Sequence, residues 1–213
     1  MATTQIKFCG INDVPALEAA IAARADHVGF VFFEKSPRHL TLRMAAALAD
    51  RALDRVSRVG LFVDADDRTI ADAVGAAKLD ALQLHAAETP ERAAELRSRF
   101  GLPVWKAIPV ASGADIARAN GYVGAADLVL FDAKGAKGAL PGGTGTRFDW
   151  SLLSNWRGDL PWGLAGGIGP KNVADAIAET NAPLVDVSSG IESAPGVKDP
   201  ALMTAFAAAV RAA

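Results

Sequence analysis

Residues 161–192, PWGLAGGIGPKNVADAIAETNAPLVDVSSGIE, contain two short apolar runs separated by an Ala-rich amphipathic stretch. The first run, 161–165, is followed by the glycine-rich turn 166–170, and the second, 184–188, by a serine–serine–glycine turn. A strand, a glycine-rich turn, a helix and a second strand are typical of a parallel sheet whose connections are helical. This stretch therefore predicts the last two strands of an α/β fold.

The same alternation continues over the whole chain. Runs of β-branched and aromatic residues, each of strand length, alternate with Ala-rich stretches that have helical spacing. Eight strands are predicted, at 5–9, 27–33, 57–63, 80–84, 103–108, 127–132, 161–165 and 184–188. Eight helices are predicted between and after them, at 13–24, 41–53, 67–77, 90–100, 113–120, 149–155, 171–180 and 199–211. The residues expected to cap these helices, or to place an acid in their first turns, are Asp13, Thr41, Asp67, Thr89, Ser112 and Asp149.

The length of the chain favours a barrel over an open sheet. Eight units in 213 residues leave about 27 residues per unit, near the minimum for a strand, a helix and two short loops. The competing open doubly wound sheet usually has fewer strands and an early glycine-rich phosphate loop, whereas these glycine-rich turns come late. We therefore predict one α/β domain over residues 1–213, a single parallel eight-stranded (β/α)8 TIM barrel.

Composition and charge restrict the class of partner. Hydrophobic residues make up 51% of the chain and charged residues 22%, which is typical of a globular protein. The formal net charge is −2 and Lys and Arg are scattered among Asp and Glu, so no nucleic-acid or membrane partner is predicted. The single cysteine cannot form an intramolecular disulfide, and no signal peptide or membrane-length apolar run is found, which favours the cytoplasm. A small molecule is the expected partner, and the oligomeric state is left undecided.

A glycine-rich stretch, AKGAKGALPGGTGTR at 133–147, follows the predicted sixth strand. Loops that follow strands lie on the active face of this fold, so a long one in a compact chain is expected to be functional. The alternative is a disordered insertion.

Polar side chains interrupt the first predicted strand. Strand alternation places Ile6 and Phe8 on the face that meets the helices, and Lys7 and Cys9 inside the barrel. Cys9 then lies at the carboxyl end of the strand, where this fold binds its substrates. The alternative is a small buried apolar residue, which is the commoner role of a lone strand cysteine. A reactive thiolate needs help from a cation, because a free thiol has a pKa of about 8.5, and Lys7 is the candidate.

Other polar residues end or interrupt apolar strands. Asp132 ends the sixth predicted strand, where its carboxylate either belongs to a site or caps the loop. Gln83, His85, Lys106 and Asp186 occupy similar positions and are expected to converge in the barrel mouth. Because no other histidine lies at metal-ligand spacing from His85, no metal site is predicted.

The two late glycine-rich turns predict an anion site. Backbone amides of turn 166–170 can face an anion together with the amino end of the following helix. The turn at 188–192 adds hydroxyl groups and a further glycine, and the loops after strands seven and eight form a common phosphate site in this fold. One glycine-rich turn alone is a weak signal because turns need glycine in any case.

With these features in place, the chain resembles the phosphoribosylanthranilate isomerase family of tryptophan biosynthesis over nearly its whole length. The order, spacing and placement of the matching segments make the resemblance specific. The segments are KFCGI at 7–11, VGFVF at 28–32, SPR at 36–38, LQLH at 82–85, GGTGTRFDW at 142–150, LAGGIGPKNV at 164–173, and DVSSGIE followed by PGVKD at 186–199.

The resemblance implies an Amadori rearrangement of a phosphoribosyl-anthranilate, with no cofactor, redox group or metal. It implies that Asp132 is the general acid that opens the ribose ring and that Cys9, as thiolate, removes the proton from sugar carbon two. It also implies that Arg38 binds the anthranilate carboxylate through its planar guanidinium. The other residues carried over are Gly166, Gly167, Ser189 and Gly190 for the phosphate, Asp186 as a support from strand eight, and Gly143 near the ligand.

One departure from the family pattern is visible. Many members follow LQLH with glycine, whereas this chain has Ala86, so the backbone after the fourth strand is expected to turn differently.

Two kinds of alternative function stay open on the residues. One is another phosphosugar enzyme, such as a pentose-phosphate epimerase or the indole-forming synthase, although their metal-ligand or lysine and glutamate sets are not apparent. The other is a barrel that binds a phosphorylated ligand without catalysis. The presence of both Cys9 and Asp132 argues against the binding-only alternative.

Overall fold

A closed parallel barrel of eight strands forms the centre of the molecule. The computed structural model describes residues 3–133, 147–153 and 156–213. Neighbouring strands pair in sequence order, and the first strand also pairs with the eighth, which confirms the predicted (β/α)8 fold. The strands are β1 Gln5–Cys9, β2 His27–Val31, β3 Ser57–Phe62, β4 Ala81–Leu84, β5 Val104–Val110, β6 Leu128–Ala133, β7 Trp162–Leu164 and β8 Leu184–Val187.

Helices cover the outside of the barrel between successive strands. The α-helices are α1 Val14–Ala22, α2 Leu42–Ala52, α3 Asp67–Ala77, α4 Pro90–Phe100, α5 Gly113–Ala117, α6 Val173–Thr180 and α7 Pro200–Ala212. Three segments are 3₁₀ helices, at Arg118–Tyr122, Trp150–Leu153 and Ser189–Ile191. No helix in the described part of the chain is both long and apolar enough to cross a membrane. The extent of the domain over all of residues 1–213 stays a prediction.

Most predicted caps act as expected. The side chains of Asp13, Thr41 and Thr89 accept hydrogen bonds from backbone amides in the first turns of α1, α2 and α4. Ser112 and Asp115 form a reciprocal capping box at the start of α5. The cap of α3 is Asp66, and the predicted Asp67 is instead the acid of its first turn.

Two predicted helices differ in the structure. The helix expected at 113–120 ends at Ala117 and continues as a 3₁₀ turn, where Asn120 and Gly121 are poor helix formers. The helix expected at 149–155 is a 3₁₀ turn over Trp150–Leu153, and residues 154 and 155 lie outside the described residues.

A short antiparallel hairpin follows β8 and was not predicted. Its strands are β9 Glu192–Ala194 and β10 Val197–Lys198. Strands of two or three residues are too short to show an alternating pattern, so the sequence contains no clear signal for them. The hairpin stands at the mouth of the barrel, immediately after the strand-eight turn.

The side-chain alternation of the strands separates an outer core from the barrel interior. On β1, Phe8 faces outward and its ring meets Phe206 of α7 edge-on, with ring centroids 5.9 Å apart. Lys7 and Cys9 face inward, as predicted. Below them, an apolar layer fills the bottom of the barrel and is formed by Val59, Ala81, Trp105, Ala107, Leu130 and Leu184. Inside the barrel, the polar side chains therefore lie near the upper end, which is the carboxyl end of the strands.

Candidate active site

A cavity of about 680 Å³, including its open mouth, lies at the carboxyl ends of the strands. It is lined by most of the predicted site residues, namely Cys9, Arg38, Asp132, Gly166, Gly167, Asp186 and Ser189. Gly190 lies behind this lining, in the strand-eight turn. Gly143 lies outside the described residues.

Lys7 lies between Cys9 and Asp186 at the bottom of the cavity. β1 and β8 pair in a register that puts Lys7 beside Asp186, and Lys7 Nζ donates a 2.9 Å hydrogen bond to Asp186 Oδ1. The lysine side chain is fully buried, so the ion pair operates in a region of low polarity. Asp186 therefore holds the lysine from β8, and its role as a support for the site stays a prediction.

The charge state of Cys9 depends on opposing effects. Burial raises the pKa of the Cys9 thiol, and the positive charges of Lys7 and Lys198 counter this without cancelling it. For Lys7, burial lowers the pKa, but Asp186 and Cys9 outweigh burial, so the pKa is raised overall and the lysine stays protonated. A cation is thus held next to a thiol that is protonated in the empty site at neutral pH.

Gly29 on β2 is a site residue that the sequence did not single out. It pairs with Cys9 in the β1–β2 register. A Cβ atom on Gly29 would lie 2.9 Å from Cys9 Sγ and 3.1 Å from Lys7 Nζ. The absence of a side chain at this inward position leaves the space in which the thiol and the ammonium group meet.

Asp132 lies on β6 and is joined to two further polar residues. His85 Nε2 lies 3.3 Å from Asp132 Oδ2, and Gln83 Nε2 lies 3.1 Å from His85 Nδ1. All three side chains line the cavity. Gln83 is fully buried, and its Oε1 atom has no hydrogen-bond partner among the described residues. Asp132 is therefore part of a row of polar side chains that also contains His85, which follows β4, and Gln83 on β4.

Lys106 does not reach the cavity, and its expected place in the barrel mouth is wrong. It shares the outward face of β5 with Val104 and Ile108, while Trp105 and Ala107 face the interior. Its ammonium group bonds to Glu88 at 3.2 Å and to the backbone carbonyls of Leu84, the last residue of β4, and of Ala86 in the loop that follows. Lys106 is thus a structural support for that loop.

Ala86 fits the loop after β4 without strain. It is not among the described residues with positive φ, so this position does not require glycine. Its amide donates to Glu88 Oε2 at 2.9 Å, and its carbonyl accepts from Lys106 Nζ at 2.7 Å. The loop is held by these bonds.

The turn after β7 presents unpaired backbone amides to the cavity. Gly166 and Gly167 have φ values of 81° and 65°, which favour glycine. Their N–H groups have no acceptor within the described part of the chain. The Asn172 side chain holds the turn, because its Oδ1 accepts from the Gly169 amide at 2.8 Å and its Nδ2 donates to the Gly167 carbonyl at 3.0 Å. The arrangement offers free donors to an anion.

The turn after β8 packs directly against the turn after β7. A Cβ atom on Gly190 would lie 2.1 Å from the carbonyl oxygen of Ile168, so only glycine permits this approach. Ser189 next to it lines the cavity. The two predicted anion-binding turns are thus neighbours in the structure.

An apolar wall lies on the other side of the cavity, on β2 and β3 and the turns that follow them. It is formed by Val31, Phe33, Leu61 and Val63. Arg38 lies at the edge of this wall and is held by Glu192, whose two carboxylate oxygens each accept a 2.7 Å hydrogen bond from its guanidinium. A flat apolar ring with an attached carboxylate would match this combination.

Comparisons with known proteins point to one family. The family model for N-(5'phosphoribosyl)anthranilate (PRA) isomerase matches residues 6–209. The N-(5'-phosphoribosyl)anthranilate isomerase of Paramagnetospirillum magneticum is 50% identical over 208 residues, which is 97% of this chain and 97% of that protein. The crystal structure of phosphoribosyl anthranilate isomerase from Thermotoga maritima matches with a TM-score of 0.88 and 33% identity, over 99% of this chain and 100% of that chain. A crystal structure of such an isomerase in complex with reduced 1-(o-carboxyphenylamino)-1-deoxyribulose 5-phosphate matches with a TM-score of 0.85 and 31% identity, over the same shares.

Proposed function

The chain belongs to the N-(5'-phosphoribosyl)anthranilate isomerase family and is an isomerase of tryptophan biosynthesis, and we propose that Cys9 and Asp132 catalyse its reaction. The reaction is the Amadori rearrangement of N-(5-phosphoribosyl)anthranilate to 1-(2-carboxyphenylamino)-1-deoxyribulose 5-phosphate. The observation that carries the proposal is the position of the two groups in one cavity, on β1 and on β6. They lie between an anion-binding end and an apolar wall.

The lining of the cavity supports one orientation of the substrate. Its phosphate is bound by the amides of Gly166 and Gly167 and by the turn that contains Ser189 and Gly190. Its aromatic ring packs on the apolar wall of β2 and β3, and its carboxylate is bound by Arg38. The sugar then spans the middle of the barrel mouth, between Cys9 and Asp132. Gly143, outside the described residues, stays a predicted neighbour of the ligand.

Asp132 acts first, as general acid. In its protonated form it donates a proton to the ring oxygen of the ribose, the bond between this oxygen and carbon one breaks, and a protonated Schiff base forms with the anthranilate nitrogen. His85, 3.3 Å from Asp132 Oδ2, holds the carboxyl group in place and is itself oriented by Gln83. A positioned acid of this kind contributes about two to four orders of magnitude in rate.

Cys9 acts second, as general base. Its thiolate removes the proton from carbon two, and the electron pair of that C–H bond forms the double bond between carbons one and two, which neutralises the iminium nitrogen. The resulting enolamine tautomerises to the amino-ketose. The raised pKa of the buried thiol is offset during turnover, because the cationic Schiff base next to Sγ favours the thiolate just as Lys7 does.

The test measures turnover and binding separately. Loss of the anthranilate fluorescence of the substrate is followed on mixing with the purified protein, without added metal or nucleotide. We expect Cys9→Ala and Asp132→Asn each to lower kcat at least about a hundredfold, because each removes one proton-transfer group. The dissociation constant of the reduced product analogue should stay within about threefold, since neither group is needed to hold it. Turnover near that of the wild type in either variant would contradict the assigned roles.

Three statements about the whole protein belong to the same proposal. We infer a cytoplasmic location, a single domain over residues 1–213, and a small-molecule substrate as the partner, with no nucleic-acid or membrane partner. The support is the charge distribution of the sequence and the family's metabolic role. The proton transfers by Asp132 and Cys9 use only groups of this chain and of the substrate.

A further inference from the structure

A cluster of buried charges lies behind Arg38, outside the Cys9–Asp132 pair. Glu192 of β9 bonds Arg38 Nε and Nη2, each at 2.7 Å, and its Oε1 also accepts a 2.7 Å hydrogen bond from Lys198 Nζ on β10. The side chains of Lys198 and Glu192 are 0% and 4% exposed, so all three charges interact with little screening by water. We call these three residues the hairpin cluster.

The hairpin cluster is also connected to the residue proposed as general base. Lys198 Nζ donates to the backbone carbonyl of Ser188 at 3.1 Å and lies 3.3 Å from its hydroxyl oxygen. The Ser188 hydroxyl in turn donates to the backbone carbonyl of Cys9 at 3.1 Å. One continuous path of polar contacts therefore runs from Arg38 through Lys198 to the end of β1.

The geometry of Arg38 leaves one edge of its guanidinium for a ligand. Glu192 occupies the edge formed by Nε and Nη2. Among the described residues no acceptor is bonded to Nη1, and Arg38 lines the cavity. An arginine can bind a carboxylate through the two Nη atoms while another carboxylate holds its Nε side. The hairpin thus sets the direction in which the free edge points.

Charge balance explains why a lysine is needed there. Arg38 and Glu192 alone would form a neutral pair, and a second carboxylate would be attracted weakly to it. Burial lowers the pKa of Lys198, and Glu192 counters this without cancelling it; with Lys198 in its ammonium form, two positive charges face one negative charge and the cluster carries a net charge of +1. Glu192 is held as a carboxylate: burial raises its pKa, but the two cations outweigh burial and lower it overall.

We propose that Lys198 is a positioning residue for Arg38. It keeps the Arg38 guanidinium oriented and offsets the negative charge of Glu192, so that Arg38 selects a substrate with a carboxylate on its aromatic ring. This inference rests on the proposed role of Arg38. Lys198 does not line the cavity, so its effect on the substrate carboxylate is transmitted through Glu192 and Arg38. The short hairpin after β8 is then the element that determines carboxylate specificity.

The experiment compares two ligands on each variant. The ligands are the reduced product analogue and the same compound without its ring carboxylate, and their dissociation constants are measured by titration calorimetry. The wild type should prefer the carboxylate form by about ten- to a hundredfold, as expected for one charge-assisted arginine contact. In Lys198→Met this preference should fall about tenfold, while the affinity for the ligand without carboxylate stays unchanged. An unchanged preference would overturn the proposal.

A double variant keeps the test decisive if Lys198→Met is unstable. Glu192→Gln combined with Lys198→Met removes one charge of each sign, so Arg38 regains an uncompensated charge. The preference for the carboxylate ligand should return to within about threefold of the wild type. A preference more than about threefold below that of the wild type would overturn the proposal.

Two control variants separate this inference from the role of Arg38 itself. Arg38→Met should abolish the preference; if it does not, Arg38 is not the carboxylate contact and both proposals fail together. If Arg38→Met abolishes the preference but Lys198→Met leaves it intact, only the role of Lys198 fails. Lys78→Met, which removes a surface lysine paired with Asp50, should leave both dissociation constants unchanged.

Discussion

Gly29 shows how a single missing side chain can support the chemistry of its neighbours. The Cys9 thiol is buried, and its ionisation relies on cations that lie close to it. The position facing both Cys9 Sγ and Lys7 Nζ on the adjacent strand is occupied by glycine, in an ordinary strand conformation. The requirement at this position is therefore for space and does not concern backbone conformation.

Gly29→Ala should shift the ionisation of Cys9. The new methyl group separates Sγ from Nζ, so the pKa of the thiol rises further and the ascending limb of kcat/KM moves to higher pH. If the pKa of the thiol rises by about one pH unit, kcat/KM falls about tenfold at pH values below that pKa. Because Cys9 is the only cysteine of the chain, the ultraviolet absorbance of its thiolate reports the same shift directly.

A matched control for Gly29→Ala lies on β7. A Cβ atom on Gly163 would lie 2.8 Å from Leu130 Cδ2 and 2.9 Å from Leu184 Cδ2, which is similar crowding inside the same barrel. Gly163→Ala should cost stability without moving the pH profile. Equal pH profiles in the two variants would mean that Gly29 affects packing alone.

At the scale of elements, the proposed phosphate site depends on the residue at which α6 begins. Asn172 occupies the N-cap position of this helix, but its side chain bonds back to the preceding turn, to the Gly169 amide and the Gly167 carbonyl. The glycine-rich turn is thus held open between β7 and α6 with its amides unpaired. The N-cap residue of the helix therefore also holds the turn that is proposed to bind the phosphate.

Asn172→Ala should weaken substrate binding more than catalysis. Without the two side-chain bonds the turn relaxes, and we expect KM and the dissociation constant of the reduced product analogue to rise about three- to tenfold, with a smaller change in kcat. Asp199→Ala is the control, because Asp199 caps α7 through the amides of Ala201 and Leu202. Asp199→Ala should lower the free energy of unfolding by roughly 0.5–2 kcal/mol through the lost cap, and Asn172→Ala should also lower it through the two lost turn bonds, but only Asn172→Ala should raise KM. A similar rise in both would refute a specific role.

For the whole molecule, a partly buried histidine links stability to pH. His27 starts β2, its ring meets Trp105 edge-on with centroids 5.0 Å apart, and its Nδ1 atom has no partner among the described residues. Burial, with a smaller contribution from Lys7, lowers the pKa of His27 to about 4. The folded protein therefore holds a neutral imidazole well below the pH at which the unfolded chain binds a proton.

This difference predicts a loss of stability in mild acid. In the unfolded chain the histidine pKa is about 6.5, so between that pH and about 4 the unfolded state binds a proton that the folded state does not. The free energy of unfolding falls as pH decreases through this window, by at most about 3 kcal/mol. Urea unfolding at several pH values should show a shallower decline in His27→Gln than in the wild type. Parallel declines would exclude His27 as the cause.

Much of the barrel and of the cavity could be predicted from local patterns. The helices at 67–77 and 90–100 and the strand at 5–9 have the predicted bounds. Alternation in β1 correctly placed Lys7 and Cys9 inside. The same alternation places Lys106 on the outward face of β5, together with Val104 and Ile108. The prediction of Lys106 in the barrel mouth was wrong because it followed from the polarity of the residue and not from its place in the alternation.

The sequence by itself determined the strand order, the inward position of Cys9, and the two glycine-rich turns, because these depend on periodicity and on turns between neighbouring residues. The catalytic roles of Cys9 and Asp132 stay predictions. Only the tertiary structure showed that Arg38 is held by Glu192, which lies 154 residues away, and that Gly29 leaves space for the contact of Cys9 with Lys7. Such contacts join atoms whose distance is set by barrel closure and by the packing of loops after different strands. A local sequence pattern cannot predict such a distance, because these residues lie close together in space but far apart along the chain.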